Sequence, residues 1–404
     1  MTGPATAGAI PASSLDPFND AALRDPWAIY RELRDLGPVV HLTEYGLWAV
    51  MRYEDVRAVL GDWETYSSLS IALNPAFNQL ASGSVDTNIL MASPPAHHRL
   101  RAVLGEDLAP RGLRDKYEAF VTERAEALAE ELVARGSFDA VRDLARPFVM
   151  GIIYDLNGLP ESGRDRFYGW ASAMFDALGP ANERAQNGLQ SIVEMFEWLA
   201  GEAGRDEVRP GSWGATIYEA VERGDIPGAT AHEMLTTYIA PALDTTIHAL
   251  GWAIKLFADH PDQWTALHNG PELLPGAFRE VLRVQTPVHH FGRRVERDIE
   301  LGGTSVPAGT HLMVSYASAN RDERHWEAPD EFDIHRDNVR QLAFGYGIHA
   351  CIGQGLARLE GHAILAALAR RVERFDAAEP TPFINNLVHG LDSLPVAVSA
   401  RPRS

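Results

Sequence analysis

Apolar residues recur every three to four positions along most of this chain, and the period shifts to alternation in only two regions. From 19 to 36, Ala22, Leu23, Trp27, Tyr30 and Leu33 share one face and predict a helix. Residues 39–51 hold two short apolar runs split by Thr43, Glu44 and Gly46, which predicts a β-hairpin, and 53–61 is helical again. Residues 65–93 show little periodicity and much Ser, Asn and Gly; so long an irregular stretch is expected to wall a binding pocket. Helical spacing resumes over 97–108, 115–134, 141–158, 164–178 and 183–203, with a break at Gly179-Pro180-Ala181-Asn182. A longer pattern covers 230–259, interrupted by Pro241, and a shorter one covers 272–284. Residues 295–315 alternate around Gly302-Gly303 and Pro307-Ala308-Gly309 and predict a β-meander, and a last helix is expected from about 351 to 375. Without repeats or linker-like stretches, the pattern predicts one mainly α domain over 1–404, with a smaller β-rich region and a flexible tail over 1–16.

Composition adds exclusions. The 36 basic and 55 acidic side chains leave a net charge of −19, a field that opposes polyanions, so nucleic acid is not an expected partner. A hydrophobic share of 46% and a charged share of 23% suit a globular enzyme with a large core. No run approaches the ~20 apolar residues that cross a bilayer, and the opening MTGPATAGAIPASSLDP lacks the basic and apolar regions of a secretory leader. No membrane association is expected, and the location expected is the cytoplasm. A lone cysteine, Cys351, excludes an intrachain disulfide and a cluster held by four thiolates. Two roles remain for it: a small buried hydrophobe, or one thiolate ligand to one iron.

The neighbours of Cys351 favour the second role. Phe344-Gly-Tyr-Gly-Ile-His-Ala-Cys351-Ile-Gly353 lies just ahead of the last predicted helix. Its three glycines permit tight turns that aim backbone N–H groups at the sulfur, and the helix N-terminus adds positive potential. Both effects are expected to lower the thiol pKa and suit an anionic iron ligand. This stretch resembles the ligand loop of the cytochrome P450 haem-thiolate monooxygenases, Phe-Gly-x-Gly-x-His-x-Cys-x-Gly, at every fixed position. The resemblance runs from about Pro17 to Val398. It implies the P450 fold, with haem b held between a long oxygen-activating helix and the cysteine helix, and Cys351 as the proximal iron ligand.

Other positions take their roles from the same resemblance. Glu280 and Arg283, three apart on one helix face, are expected to join Arg336 in a structural charge cluster behind the haem. His97, Arg101, Arg293 and His349 match the partners of the two haem propionates, and Phe344 and Gly353 belong to the ligand loop. Oxygen activation consumes two protons, and Asp244-Thr245 matches the family's acid–alcohol pair for relaying them. Ahead of that pair, Ala240-Pro241-Ala242-Leu243 departs from the family, which has small residues such as Ala-Gly there. Pro241 removes the hydrogen bond to the Thr237 carbonyl and is expected to reshape the pocket roof, so that Pro241→Ala alters substrate preference and coupling of oxygen use.

By family position, Ile89, Leu90, Phe175, Leu178, Thr237, Pro241, Val288 and Phe291 are expected to face a mostly apolar substrate pocket. The stretches MFDALGPANE and INNLVHGLDSLPV resemble bacterial enzymes that demethylate 4-methoxybenzoate-type acids. Where those enzymes anchor the carboxylate with an arginine and serines, this chain offers Ser84, Thr87 and Thr237, with Asp86 nearby. A missing cation beside an added carboxylate disfavours an anion. The expected substrate is therefore a small, uncharged aromatic ether or phenol, undergoing O-demethylation or hydroxylation with O2. With one cysteine and no flavin domain, the chain needs a separate electron carrier: a ferredoxin with an NAD(P)H-dependent reductase, docking near Arg99, Arg111, Arg114 and Lys116. Two alternatives stay open: a peroxide-driven hydroxylase, which would not need Asp244 and Thr245, and a haem-binding sensor or carrier without turnover.

Overall fold

A computed structural model describes residues 10–228 and 230–401. Its axis is the helix Thr230–Asp259, most of whose residues are buried all round. A helix that is apolar on every side belongs at the centre of a fold. Around it pack Arg146–Asn157, Arg164–Ala177, Trp213–Glu222, Leu274–Val284 and the cysteine helix Gln354–Ala369. The helix runs without interruption through Pro241, against the break expected there. Packing on all sides holds the segment helical where an isolated peptide would lose roughly 3 kcal/mol.

The β-rich region is a six-stranded sheet in the order Ala12–Ser13, Val39–Leu42, Leu47–Val50, His311–Ser315, His290–Val295, Tyr66–Ser67. The expected hairpin of 39–51 forms its core, with Val39 opposite Val50 and Leu42 opposite Leu47. In the meander, Gly302 and Gly303 take φ of 57° and 79°, the pair of positive values that a two-residue hairpin turn between Ile299–Leu301 and Thr304–Val306 demands. Ala12–Ser13 pairs in parallel with His41 and Leu42. This strand lies inside the stretch expected to be a tail, whose residues 1–9 lie outside the described ones.

Several boundaries differ from the sequence pattern. The helix expected over 19–36 is two, Asp20–Arg24 and Trp27–Leu36, with Asn19 capping the first through its side-chain oxygen. The segment 97–108 likewise divides into Ala96–Ala102 and Gly105–Leu108. The last helix stops at Ala369, and Val372–Ala377 is a strand paired with Pro395–Ala400. A bulge between Val372 and Arg374 puts Val372 and Phe375 on the buried face three residues apart, which mimics helical spacing. Short helices at Pro75–Leu80 and Tyr316–Ala319 and two longer ones were not anticipated. One is Trp213–Glu222, capped by Ser212; the other is Pro261–Asn269, with Pro261 in its first turn.

Candidate active site

The cysteine loop is built as its glycines require. Gly345 and Gly347 have φ of 70° and 75°, and a Cβ on Gly347 would stand 2.3 Å from the Leu60 carbonyl oxygen. The Cys351 N–H donates to the Phe344 carbonyl at 2.8 Å, closing the loop. Gly353, the third glycine, has an ordinary φ of −81°. The Cys351 sulfur opens onto an interior cavity. Burial pushes its thiol pKa up, ahead of the opposing pull of the Gly353 and Gln354 N–H groups and of Arg101 and Arg358. The donors expected around the sulfur are present, and in the protein alone desolvation outweighs them.

The cavity holds about 1520 Å³ of atom-free space, its opening to solvent included. His97, Arg101, Arg293 and His349 all line it, as do Phe344, Cys351 and Gly353. The His97 and His349 rings lie 4.6 Å apart, and Arg101 donates to the Ala350 carbonyl at 2.8 Å. His97 is buried with neither ring nitrogen partnered. Burial, then Arg101 and His98, push its pKa down to about 4; burial, then Arg293, His97 and Arg101, push that of His349 down to about 3. Among the described lining residues the sole carboxylate, Glu360, bonds Thr246 on the long helix instead. Such a concentration of cations and donors without an anion is what two propionates would complete, so the residues present fit haem b.

Two further groups join this cationic edge without having stood out in the sequence. Tyr238 lines the cavity with an unpartnered buried hydroxyl in the field of Arg101, and Tyr316 lines it in the field of Arg293. Behind the cavity, Arg283 donates to Glu280 at 2.8 and 3.0 Å and Arg336 donates to it at 3.0 Å, with the Glu280 and Arg283 side chains fully buried. The remaining Arg283 donors go to the carbonyls of Asn320, Pro329 and Glu331. The cluster expected of these three residues is present.

On the long helix, Thr245 lines the cavity and its hydroxyl donates to the Pro241 carbonyl at 2.8 Å. Asp244 is fully buried away from the lining, with both carboxylate oxygens unpartnered. Burial above all, with the Asp176 carboxylate adding to it and Arg146 opposing, raises its pKa well above the ordinary range, so it holds its proton. Glu360, one face of the cysteine helix away, is buried and raised in the same way. Glu360 did not stand out in the sequence, because a glutamate nine residues past a cysteine reads as an ordinary solvated helix position.

Above the cysteine, Ile89, Leu90, Phe175, Leu178, Thr237, Pro241, Val288 and Phe291 all line the cavity, joined by Ile71 and Met174. The irregular segment thus walls the pocket as expected. Ser84, Asp86 and Thr87 do not line it. The Thr87 hydroxyl instead meets the Glu233 carboxylate at 2.5 Å, a residue that the sequence did not mark. Of the four surface cations expected to meet an electron carrier, Arg111 and Arg114 share Asp115, and Lys116 bonds Asp107 at 2.7 Å.

Comparison with known proteins agrees with this geometry. The family model for cytochrome P450 matches residues 271–387. Cytochrome P450 CYP199A2 from Rhodopseudomonas palustris is 36% identical over 99% of this chain and 97% of its own length. Cytochrome P450 107B1 from Saccharopolyspora erythraea is 32% identical over 98% of this chain and all of its own. Among solved structures, CYP109E1 from Bacillus megaterium in complex with testosterone superposes with a TM-score of 0.84 at 26% identity, over 94% of this chain and 99% of that one. CalO2 gives 0.83 at 29% identity, over 95% and 98%. A cysteine loop, a cationic cavity edge and near full-length kinship thus converge, and the chain belongs to the cytochrome P450 family.

Proposed function

We propose that this P450 oxidoreductase inserts one atom of O2 into a small, uncharged aromatic compound, by O-demethylation of a methoxyarene or by ring or side-chain hydroxylation. The reading rests above all on one observation: the cavity is cationic at the edge beside Cys351 and His349 and apolar beyond it. Haem b, when bound, supplies the redox centre at which O2 is reduced and the C–H bond oxidised. Cys351 would ligate its iron, while His97, Arg101, Arg293 and His349 would hold its propionates.

The chain's own residues do the rest. Leu90, Phe175, Val288 and Phe291 exclude water and hold an aromatic ring by contact alone. Thr245 has its own hydrogen committed to the Pro241 carbonyl, so its lone pairs would hold a water in the cavity, and Asp244, the adjacent buried acid on the same helix, would be the group that resupplies that water with protons. Glu360, paired with Thr246, is a second buried acid able to store a proton on the cysteine side.

Electrons come from a separate ferredoxin served by an NAD(P)H-dependent reductase. Exposed Arg57, Arg99 and Arg340 suit an acidic carrier better than the cations already paired, because none has a carboxylate within ion-pair distance among the described residues. Arg57 stacks at 4.5 Å on Tyr346, an exposed side chain of the cysteine loop itself. The experiment is a panel of methoxylated and alkylated aromatics, screened for a low-to-high-spin change in the haem spectrum. Neutral members should give it at micromolar concentration, and a full shift with 4-methoxybenzoate would contradict the reading.

A further inference from the structure

Thr237 lines the apolar chamber, and its hydroxyl donates its hydrogen to the Glu233 carbonyl at 2.7 Å, leaving lone pairs for a ligand. Four residues on, Pro241 has no N–H to return to the Thr237 carbonyl, so that oxygen lacks the partner an intact helix would supply. Thr237 and Pro241 both line the cavity, so the gap between them faces the chamber. One turn earlier on the same helix stands the Glu233 carboxylate, another acceptor, which holds Thr87. The cations among the described lining residues, Arg101 and Arg293, stand with His97 and His349 at the other edge.

We propose that Pro241 makes the Thr237 carbonyl oxygen a hydrogen-bond acceptor for the substrate, and that the substrate is a phenol, its O–H donated to that carbonyl and its far end turned toward Thr245. A buried acceptor gains from a donor and rejects both an anion and a ligand without a donor. Spacing agrees. Eight residues separate Thr237 from Thr245, about 12 Å at ~1.5 Å rise per residue, a span that one para-substituted ring fills with a hydrogen bond at one end and a contact at the other. The inference rests on the proposed reading of an uncharged aromatic and narrows it.

The test uses the haem-loaded full chain and three probes that differ at one end: 4-methoxyphenol, its ether 1,4-dimethoxybenzene, and 4-methoxybenzoate. Dissociation constants are taken from the spin-state titration and, independently of the spectrum, by calorimetry. The phenol should bind about 3- to 10-fold more tightly than the ether, the equivalent of one neutral hydrogen bond. Pro241→Ala restores the N–H to the Thr237 carbonyl and should erase that preference by weakening the phenol while sparing the ether. Thr237→Val keeps the carbonyl and should retain most of the preference. Equal affinities for phenol and ether, or a preference unchanged in Pro241→Ala, would overturn the acceptor while leaving the uncharged aromatic reading intact. Tightest binding of 4-methoxybenzoate, or no binding of either neutral probe, would overturn both.

Discussion

The Thr245 hydroxyl donates to the Pro241 carbonyl at 2.8 Å, one turn back along the helix that crosses the cavity. This fixes the hydroxyl's hydrogen and leaves its lone pairs to accept from a water in the cavity, so that Thr245 positions the water that carries the proton. Thr245→Ala should cut product formed per NAD(P)H consumed by about tenfold or more, with the electrons diverted to hydrogen peroxide. Thr245→Ser should retain most of the coupling. Asp244→Asn, which removes the acid but keeps the shape, should slow turnover by about 10²-fold and enlarge the solvent isotope effect. Product and peroxide assays on the three variants check this; unchanged coupling in Thr245→Ala would count against the relay.

Glu280 is enclosed by Arg283 and Arg336 with no access to water from its side chain. Removing one partner of a buried ion pair leaves the other charge stranded, at a cost of roughly 3–5 kcal/mol. Glu280→Ala should therefore move the denaturant midpoint far down or abolish folding, whereas Lys255→Ala, at an exposed pair with Asp259, should shift it by less than about 1 kcal/mol.

The cationic edge makes a prediction about the prosthetic group that needs no turnover. Arg101→Ala removes one charge-assisted donor from the propionate side, an interaction of ~1.5–3 kcal/mol. Haem transfer to an excess of an apo-globin acceptor should speed up by about 10- to 100-fold, and Arg101→Lys should recover part of the loss. A transfer rate equal to that of the parent protein would remove Arg101 from the site.

Stability should fall in mild acid for a specific reason. His290, His389 and His248 are wholly buried, and burial pushes each pKa down from 6.5 to about 3. Tyr30 bridges His289 Nδ1 and His290 Nε2 at 2.8 and 2.9 Å, and His389 Nε2 pairs with Gln285 at 3.1 Å. Since the folded pKa lies below the unfolded one, the unfolded chain binds the extra protons. Each histidine's contribution is whole above pH 6.5 and declines by ~1.4 kcal/mol per pH unit below it, down to about pH 3. Denaturant midpoints at pH 7.5, 6 and 5 should drop progressively, and less steeply in His290→Asn.

Much of the site was legible before the fold was known, because its chemistry is concentrated in short stretches. One ten-residue loop carries the cysteine, three glycines and His349, and the cavity collects every pocket residue named from the sequence. What escaped depends on distant partners. The bulge at Val372 disguised a strand as helix, since its partner Pro395–Ala400 comes only later in the chain. Glu360 and Tyr238 carry no mark in the sequence, and only the packing of other elements over them makes them buried groups at the cavity. The thiol of Cys351 was misjudged for the same reason: local donors are visible in sequence, whereas desolvation is a property of the whole fold.

The account depends first on sulfur-to-iron donation from Cys351, and the ferrous carbon monoxide spectrum reads that bond directly. The purified, haem-loaded protein, reduced and exposed to carbon monoxide, should show the strongly red-shifted Soret band of a thiolate trans to the ligand, and Cys351→Ser should lose it. A Soret band at the ordinary position of histidine-ligated haem in the parent protein, or the same spectrum from Cys351→Ser, would contradict it.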